Sequence, residues 1–169
     1  YLPIYELDEA KWKDVGSHIN AKMKITPQEK ICNAYTFTSF DSDLYMVSIT
    51  RKGMIKRTPL KEFEVSRNNK TMTAMKLAKE DALLCTLFSR QEDEIVLLTK
   101  KGFMVRYPLS LVNPTAPRSQ GIKAMNLMDD EIIGAVVYQS TNAQLVVVTS
   151  EGDMKRLRVS DVEMLGRPV

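Results

Sequence analysis

Short apolar runs alternate along the chain with clusters of Gly, Asp, Asn, Ser and Pro, and the alternation recurs. Three segments share one pattern: Leu44-Tyr-Met-Val-Ser-Ile-Thr50-Arg-Lys-Gly53, Ile95-Val-Leu-Leu-Thr99-Lys-Lys-Gly102 and Leu145-Val-Val-Val-Thr149-Ser-Glu-Gly152. Gly102 follows Gly53 by 49 residues, and Gly152 follows Gly102 by 50. Four residues after each glycine stands an arginine: Arg57, Arg106, Arg156. Seven residues after each stands an aliphatic: Leu60, Leu109, Val159. A second row agrees, since Met75-Lys-Leu77 and Met125-Asn-Leu127 are 50 residues apart, and Met23-Lys-Ile25 lies 52 before the first of them. Columns in register at one period mark an internal repeat.

Each period reads as four short strands, shown by Gly121–Leu127, Ile132–Tyr138, Gln144–Thr149 and Asp153–Val159. Runs of β-branched residues bounded by turn formers are strand signals. Thr-x-x-Gly between the third and fourth strands predicts a tight hairpin whose glycine takes a positive φ. The unbroken apolar third strand predicts burial on both faces and a central place in its sheet. Pro59 and Pro108 fall late in the fourth strand, where a missing N–H is tolerated at an edge. Four strands in about 50 residues make a blade of the propeller class.

The predicted fold class is therefore all-β. It is a propeller-like array of four-stranded blades, about three blades plus a partial one, in an open arc rather than a closed ring. The repeat units run approximately 1–60, 61–109 and 110–159, with 160–169 leading into a further unit. We read the chain as one domain, a fragment of a longer array.

Composition narrows the chemistry. The 169 residues are 44% hydrophobic and 27% charged, which suits a packed globular chain. No apolar run reaches the roughly 20 residues of a membrane helix, and none resembles a secretory signal. Cys32 and Cys85 sit among apolar neighbours and read as reduced core thiols. His18 is the one histidine, so a His-rich metal centre is excluded and a loop position is its default. Met75 and Met125 read as core filler. Trp12 reads as an anchor packing the first loop onto a blade. Net charge is +3, distributed as −2 over residues 1–50, +4 over 51–100 and +1 over 101–169. A polyanion would bind such a chain only where the cations share one surface. Gly-x-Ser-x-Gly, phosphate-loop and metal-cluster motifs are missing, so a stand-alone enzyme is disfavoured.

Together these residues resemble the C-terminal domain of the DNA gyrase A and topoisomerase IV family. The resemblance is carried by the three Thr-x-x-Gly-x-x-[Lys/Val]-Arg-x-x-[Leu/Val] units and by the Met-x-Leu strand after Arg118-Ser-Gln-Gly-Ile-Lys123. Tyr1-Leu-Pro-Ile-Tyr-Glu-Leu7 with Trp12-Lys-Asp-Val-Gly16 is similar to the start of that domain in the topoisomerase IV branch of Gram-positive bacteria. It implies a β-pinwheel, with strands exchanged between neighbouring blades and DNA running round a basic rim. The gyrase members carry a Gln-Arg-Arg-Gly-Gly-Lys-Gly box for strong wrapping. Here the nearest stretch is Arg118-Ser-Gln-Gly-Ile-Lys-Ala124, which favours the topoisomerase IV branch.

The resemblance also implies partners: duplex DNA, the N-terminal breakage–reunion domain of the same polypeptide, and the separate ATPase subunit of topoisomerase IV. No cofactor is expected in this chain, since ATP and magnesium belong to other domains or subunits. The expected location is the bacterial cytoplasm, at the nucleoid, with no membrane partner.

Candidate DNA contacts follow from the repeat. Arg57, Arg106 and Arg156 form one column, which can be a ladder of phosphate contacts or a structural seam between blades. A guanidinium fork suits phosphate oxygens. Lys56 and Lys155 precede two of them and should face the other side of the strand. Arg51, Lys52, Lys100 and Lys101 sit at hairpin tips. Arg118 and Lys123 flank Gly121 in a loop, the best single contact segment. Arg67 and Lys70 are its counterpart one unit earlier. The expected function is a non-catalytic module that holds or bends duplex DNA without sequence readout. The alternatives are the equivalent gyrase domain with weakened wrapping, or a protein-interaction propeller.

Overall fold

The computed structural model describes residues 1–40, 43–66, 71–139 and 142–166. Among them the regular elements are nine strands and five short 3-10 turns: β1 (Tyr45–Thr50), β2 (Met54–Pro59), β3 (Leu83–Ser89), β4 (Glu94–Thr99), β5 (Met104–Pro108), β6 (Ile122–Lys123), β7 (Ile132–Tyr138), β8 (Gln144–Val148) and β9 (Met154–Arg158). The all-β expectation holds.

Three antiparallel hairpins carry the repeat: β1–β2, β4–β5 and β8–β9. The Thr-x-x-Gly motif has a definite mechanism in each. Gly53, Gly102 and Gly152 have φ of +85°, +89° and +91°, and each N–H donates to the carbonyl of the motif threonine. The Oγ1 of Thr50, Thr99 and Thr149 then accepts from the N–H of the residue after the glycine, at 3.0, 3.1 and 3.1 Å. The aliphatic seven residues after the glycine begins a 3-10 turn and is buried. Its N–H returns to the start of the hairpin, from Leu60 to Leu44, Leu109 to Asp93 and Val159 to Ala143.

The sheets cross the unit boundaries. They run β3-β1-β2-β6, β5-β4-β7 and β8-β9. Thus β3, which precedes the second hairpin, completes the sheet of the first, and β7 completes that of the second. This is the strand exchange implied by the β-pinwheel resemblance. The apolar third strands, β1 and β4, lie between two neighbours as their sequence predicts.

One core runs through the first two sheets. Val47, Ile49, Ile55, Ile95, Leu97, Tyr107, Leu109 and Ile132 are fully buried and Met125 packs with them, while Met75 is buried beside Gly121. Each aliphatic so buried contributes about 1.5–3 kcal/mol. In β8, by contrast, Val146 and Val148 are exposed and no third strand pairs with it among the described residues.

Four expectations are corrected. The predicted strand Gly121–Leu127 is reduced to Ile122–Lys123, because the chain leaves the sheet to bury Ala124 and Met125. Trp12 is 98% exposed and anchors no blade, since the segment around it makes only local turns. Cys32 lies on the surface, on an extended segment over the edge of β3. Cys85 is half-buried in β3, so neither cysteine is a full core residue.

Candidate nucleic-acid interface

The arginine column does not form a uniform exposed ladder. Arg57 is 1% exposed, its guanidinium stacked 4.4 Å from the centroid of the Tyr45 ring. Arg106 is half-buried: Nη1 lies 3.2 Å from Glu94 Oε2, and Nε donates to the Val162 carbonyl at 2.7 Å. Arg156 is exposed. The backbone explains the first two. Residues after the 3-10 turn of the following unit run parallel to the fourth strand at the arginine, pairing Arg57 with Pro114 and Arg106 with Met164. The column marks the seam between successive units, and in the first two units its side chains turn into that seam.

Lys56 is also buried, 2% exposed, although it alternates with Arg57. Strand β2 is covered on both faces, so alternation does not send either row to solvent. The Lys56 ammonium donates to the Ala74 carbonyl at 2.7 Å and, at longer range, to that of Ser119 at 3.5 Å. Burial pushes its pKa down. Lys155, its counterpart, is exposed beside a groove of about 470 Å3 between β5 and the third hairpin.

The loop candidates lie together at one edge of the first sheet. Segment 73–76 pairs with 118–119, since the Arg118 N–H donates to the Thr73 carbonyl and the Lys76 N–H to that of Ser119. Strand β6 then brings Lys123 opposite Met54, and the Ala124 N–H bonds to the Gly53 carbonyl at the hairpin tip. The path from tip to loop therefore passes Lys52, Lys123, Arg118 and Lys76, all exposed. Gly121 makes this approach possible: a Cβ there would meet the Ile55 carbonyl oxygen at 2.5 Å. Arg118 itself has φ +67°, a left-handed turn conformation, and is exposed. Arg67 and Lys70 lie outside the described residues.

Sequence reading misses two things. Lys76 lies inside the Met75-Lys-Leu77 repeat row, which the methionine and leucine define; its charge between two apolar positions is the available signal. The acidic links between strands also have a role at the tips. Asp81 Oδ1 accepts from the Lys52 N–H at 3.0 Å, and Asp130 from the Lys101 N–H at 3.3 Å. Glu131 lies 3.6 Å from Arg51 and 3.3 Å from Lys100, and Glu80 lies 3.9 Å from Lys52. The tip cations are thus partly compensated, whereas no ion pair to Lys76, Arg118 or Lys123 occurs among the described residues.

Known proteins share this fold. A family model described as DNA gyrase C-terminal domain, beta-propeller, matches residues 44–84, 93–139 and 143–168, beginning each time within a residue of a hairpin. The chain is 30% identical over 169 residues to the A subunit of DNA topoisomerase 4 from Bacillus subtilis (strain 168), covering 99% of this chain and 21% of that protein. To the same protein of Staphylococcus epidermidis it is 28% identical over 157 residues, covering 93% and 20%. Among solved structures, the C-terminal domain of DNA topoisomerase IV superposes with a TM-score of 0.89 at 30% identity, over 98% of this chain and 51% of that one. The DNA gyrase A C-terminal domain shares the fold, with a TM-score of 0.78 at 23% identity, over 97% and 52%. The chain therefore spans about a fifth of the curated relatives and about half of the matching solved domains.

Proposed function

Because this chain belongs to the DNA gyrase C-terminal domain family, we propose that it is a non-catalytic module that binds duplex DNA for a type II topoisomerase of the topoisomerase IV kind. It holds or bends one DNA segment on a basic surface and so biases which crossings the enzyme acts on in decatenation and relaxation. The observation that carries the reading is the run of exposed cations Lys52, Lys123, Arg118 and Lys76 along one sheet edge. Such a surface neutralises phosphates and reads no base, which suits an enzyme that must act at any sequence. Breakage and reunion, ATP turnover and magnesium then belong to the breakage–reunion domain and to the separate ATPase subunit. The working location is the cytoplasm, at the nucleoid.

The test is duplex binding across a salt series. Each phosphate contact contributes a slope of about −0.9 in log K against log salt. Replacing Lys52, Lys76, Arg118 and Lys123 together by Gln is expected to reduce the slope by about 3–4 and to weaken binding strongly at low salt. Replacing the exposed Lys61, Arg90 and Arg158 instead should change the slope little. Equal losses from both sets, or a wild type with no salt-dependent binding, would remove this edge as the DNA surface.

A further inference from the structure

Strands pair between units by one rule. Strand β3, which precedes the second hairpin, lies on β1 of the first, and β7, which precedes the third, lies on β4 of the second. The registers agree: Leu87 stands opposite Val47 and Cys85 opposite Ile49, as Val136 stands opposite Val96 and Gly134 opposite Leu98. The rule leaves two parts of the chain unmatched. Among the described residues no strand lies on β8 of the third hairpin. The stretch 31–37, which precedes the first hairpin, pairs with no hairpin.

The unmatched stretch is a strand by its place and its residues. Ile31 precedes Leu83 by 52 residues, the spacing of Met23 to Met75, and Leu83 precedes Ile132 by 49. Ile31-Cys-Asn-Ala-Tyr-Thr-Phe37 holds no charge, glycine or proline, and its aromatic and β-branched residues favour a strand. Side chains already hold it against β3. Asn33 Oδ1 accepts from the Thr86 N–H at 3.2 Å, the Tyr35 hydroxyl donates to the Thr86 carbonyl, and the rings of Tyr35 and Phe37 stand edge-on to Phe88. Among the described residues it makes no backbone–backbone hydrogen bond. The edge of β8 is equally bare. Gln144-Leu-Val-Val-Val148 has none of the lysines or prolines that guard a free edge. Val146 is 64% and Val148 59% exposed, whereas their counterparts Val47 and Ile49 are fully buried. The Thr149 N–H bonds to the Asp153 carbonyl within the hairpin, so alternation sends those of Val148 and Val146 to the open edge.

We propose that the free edge of β8 takes the stretch 31–37 of a second copy of this chain, so that two copies complete one three-stranded sheet between them. The registers of the first two units place Tyr35 of the second copy opposite Val146, and its Asn33 opposite Val148. Main-chain hydrogen bonds supply the attraction of an added strand, and covering Val146 and Val148 adds an apolar contribution. The contact is head to tail. Every joined copy still offers a strand at one end or an edge at the other, so growth continues past a dimer. It uses none of the cations of the proposed DNA edge.

Sedimentation velocity of the whole chain over a dilution series tests this. The weight-average mass of wild type should rise with concentration past twice that of the monomer. Val146→Pro removes an outward N–H from the β8 edge and spares the β8–β9 ladder. Alone it should stay monomeric. It keeps its own 31–37 stretch, so a minor share of it added to wild type should cap growing ends and lower the mass of the mixture. A wild type that is monomeric at every concentration leaves the edge to a strand from elsewhere and overturns the proposal. So does a Val146→Pro chain that assembles like wild type, or one that fails to shorten the wild-type assemblies. If Val146→Pro does not fold, Val146→Lys with Val148→Lys places charges at two positions already exposed and is read in the same way.

Discussion

Lys56 shows how far a single side chain can depart from its type. Its ammonium ties the Ala74 carbonyl, and more loosely that of Ser119, to β2, and it is 2% exposed. Lys56→Met keeps the volume and leaves those carbonyls without this donor, so a loss of about 1–3 kcal/mol is expected in urea unfolding at neutral pH. The pH dependence has a definite sign. Burial holds the folded pKa of Lys56 below its ordinary value, so between the two values the unfolded chain binds more protons. Stability from this residue therefore rises with pH up to about 10.5. Tyr107 and Tyr138 act the other way, because burial raises both phenols and favours the protonated fold. The difference between wild type and Lys56→Met isolates the lysine, and should widen in favour of wild type as pH rises through the alkaline range. A gap that narrows would contradict the assignment. The glycines supply a second residue-scale prediction. Gly121→Ala drives a Cβ to 2.5 Å from a backbone oxygen, while Gly102→Ala meets nothing within 4 Å and bears backbone strain alone. The first should cost well over 2 kcal/mol and the second about 1 kcal/mol, measured by the same unfolding curves.

At the scale of elements, the second seam is a clamp of Glu94 on β4, Arg106 on β5 and Tyr138 on β7, closed onto the next unit through the Val162 carbonyl. Groups in one such network are non-additive. A double-mutant cycle of Glu94→Gln and Tyr138→Phe should give a coupling of about 1–3 kcal/mol in unfolding free energy; a coupling near zero would mean that the two act independently. This clamp also explains what can be read in the sequence. The hairpins are legible because Thr-x-x-Gly has local chemistry: one φ > 0, one hydroxyl acceptor and one buried aliphatic seven residues on. The strand exchange is not legible from β3 or β7 themselves, since an apolar run does not state its partner; it enters through family resemblance. The DNA candidates are read least well. Strand alternation assumes one wet face, and β2 has none, so Lys56 and Arg57 are both drawn inward. The Arg118–Lys123 segment is legible because the Pro, Ser and Thr before Gly121 mark a loop, and the glycine is what lets that loop close onto β2 at Ile55. Lys76 is hidden because it reaches that loop through its N–H to Ser119, a partner remote in sequence.

For the whole molecule, net charge says little because acids and bases are placed to compensate one another locally. The two hairpin tips are bridged by one carboxylate: Glu131 lies near Arg51 of the first tip and Lys100 of the second. All three side chains are at least a third exposed, so each pair contributes at most about 1 kcal/mol to stability. Their effect on a polyanion is a different matter. A phosphate approaching either tip must compete with Glu131, and the carboxylate also repels it. If the tips border the DNA path, Glu131→Gln should tighten duplex binding at low salt by roughly two- to fivefold, the equivalent of a weak surface pair released. The salt slope should steepen by up to about one contact for each tip that gains a phosphate. Folding should be almost unaffected, which unfolding curves of the same variant check. Glu151→Gln, at the third tip where Ser150 replaces the cation, should have a smaller effect, since Glu151 accepts from the Ser150 hydroxyl there. Unchanged binding in Glu131→Gln, with the four-cation edge still required, would place the DNA along Lys52, Lys123, Arg118 and Lys76 without crossing between the tips. Tighter binding would extend that path from the first sheet onto the second, and so give the direction in which DNA travels around the array.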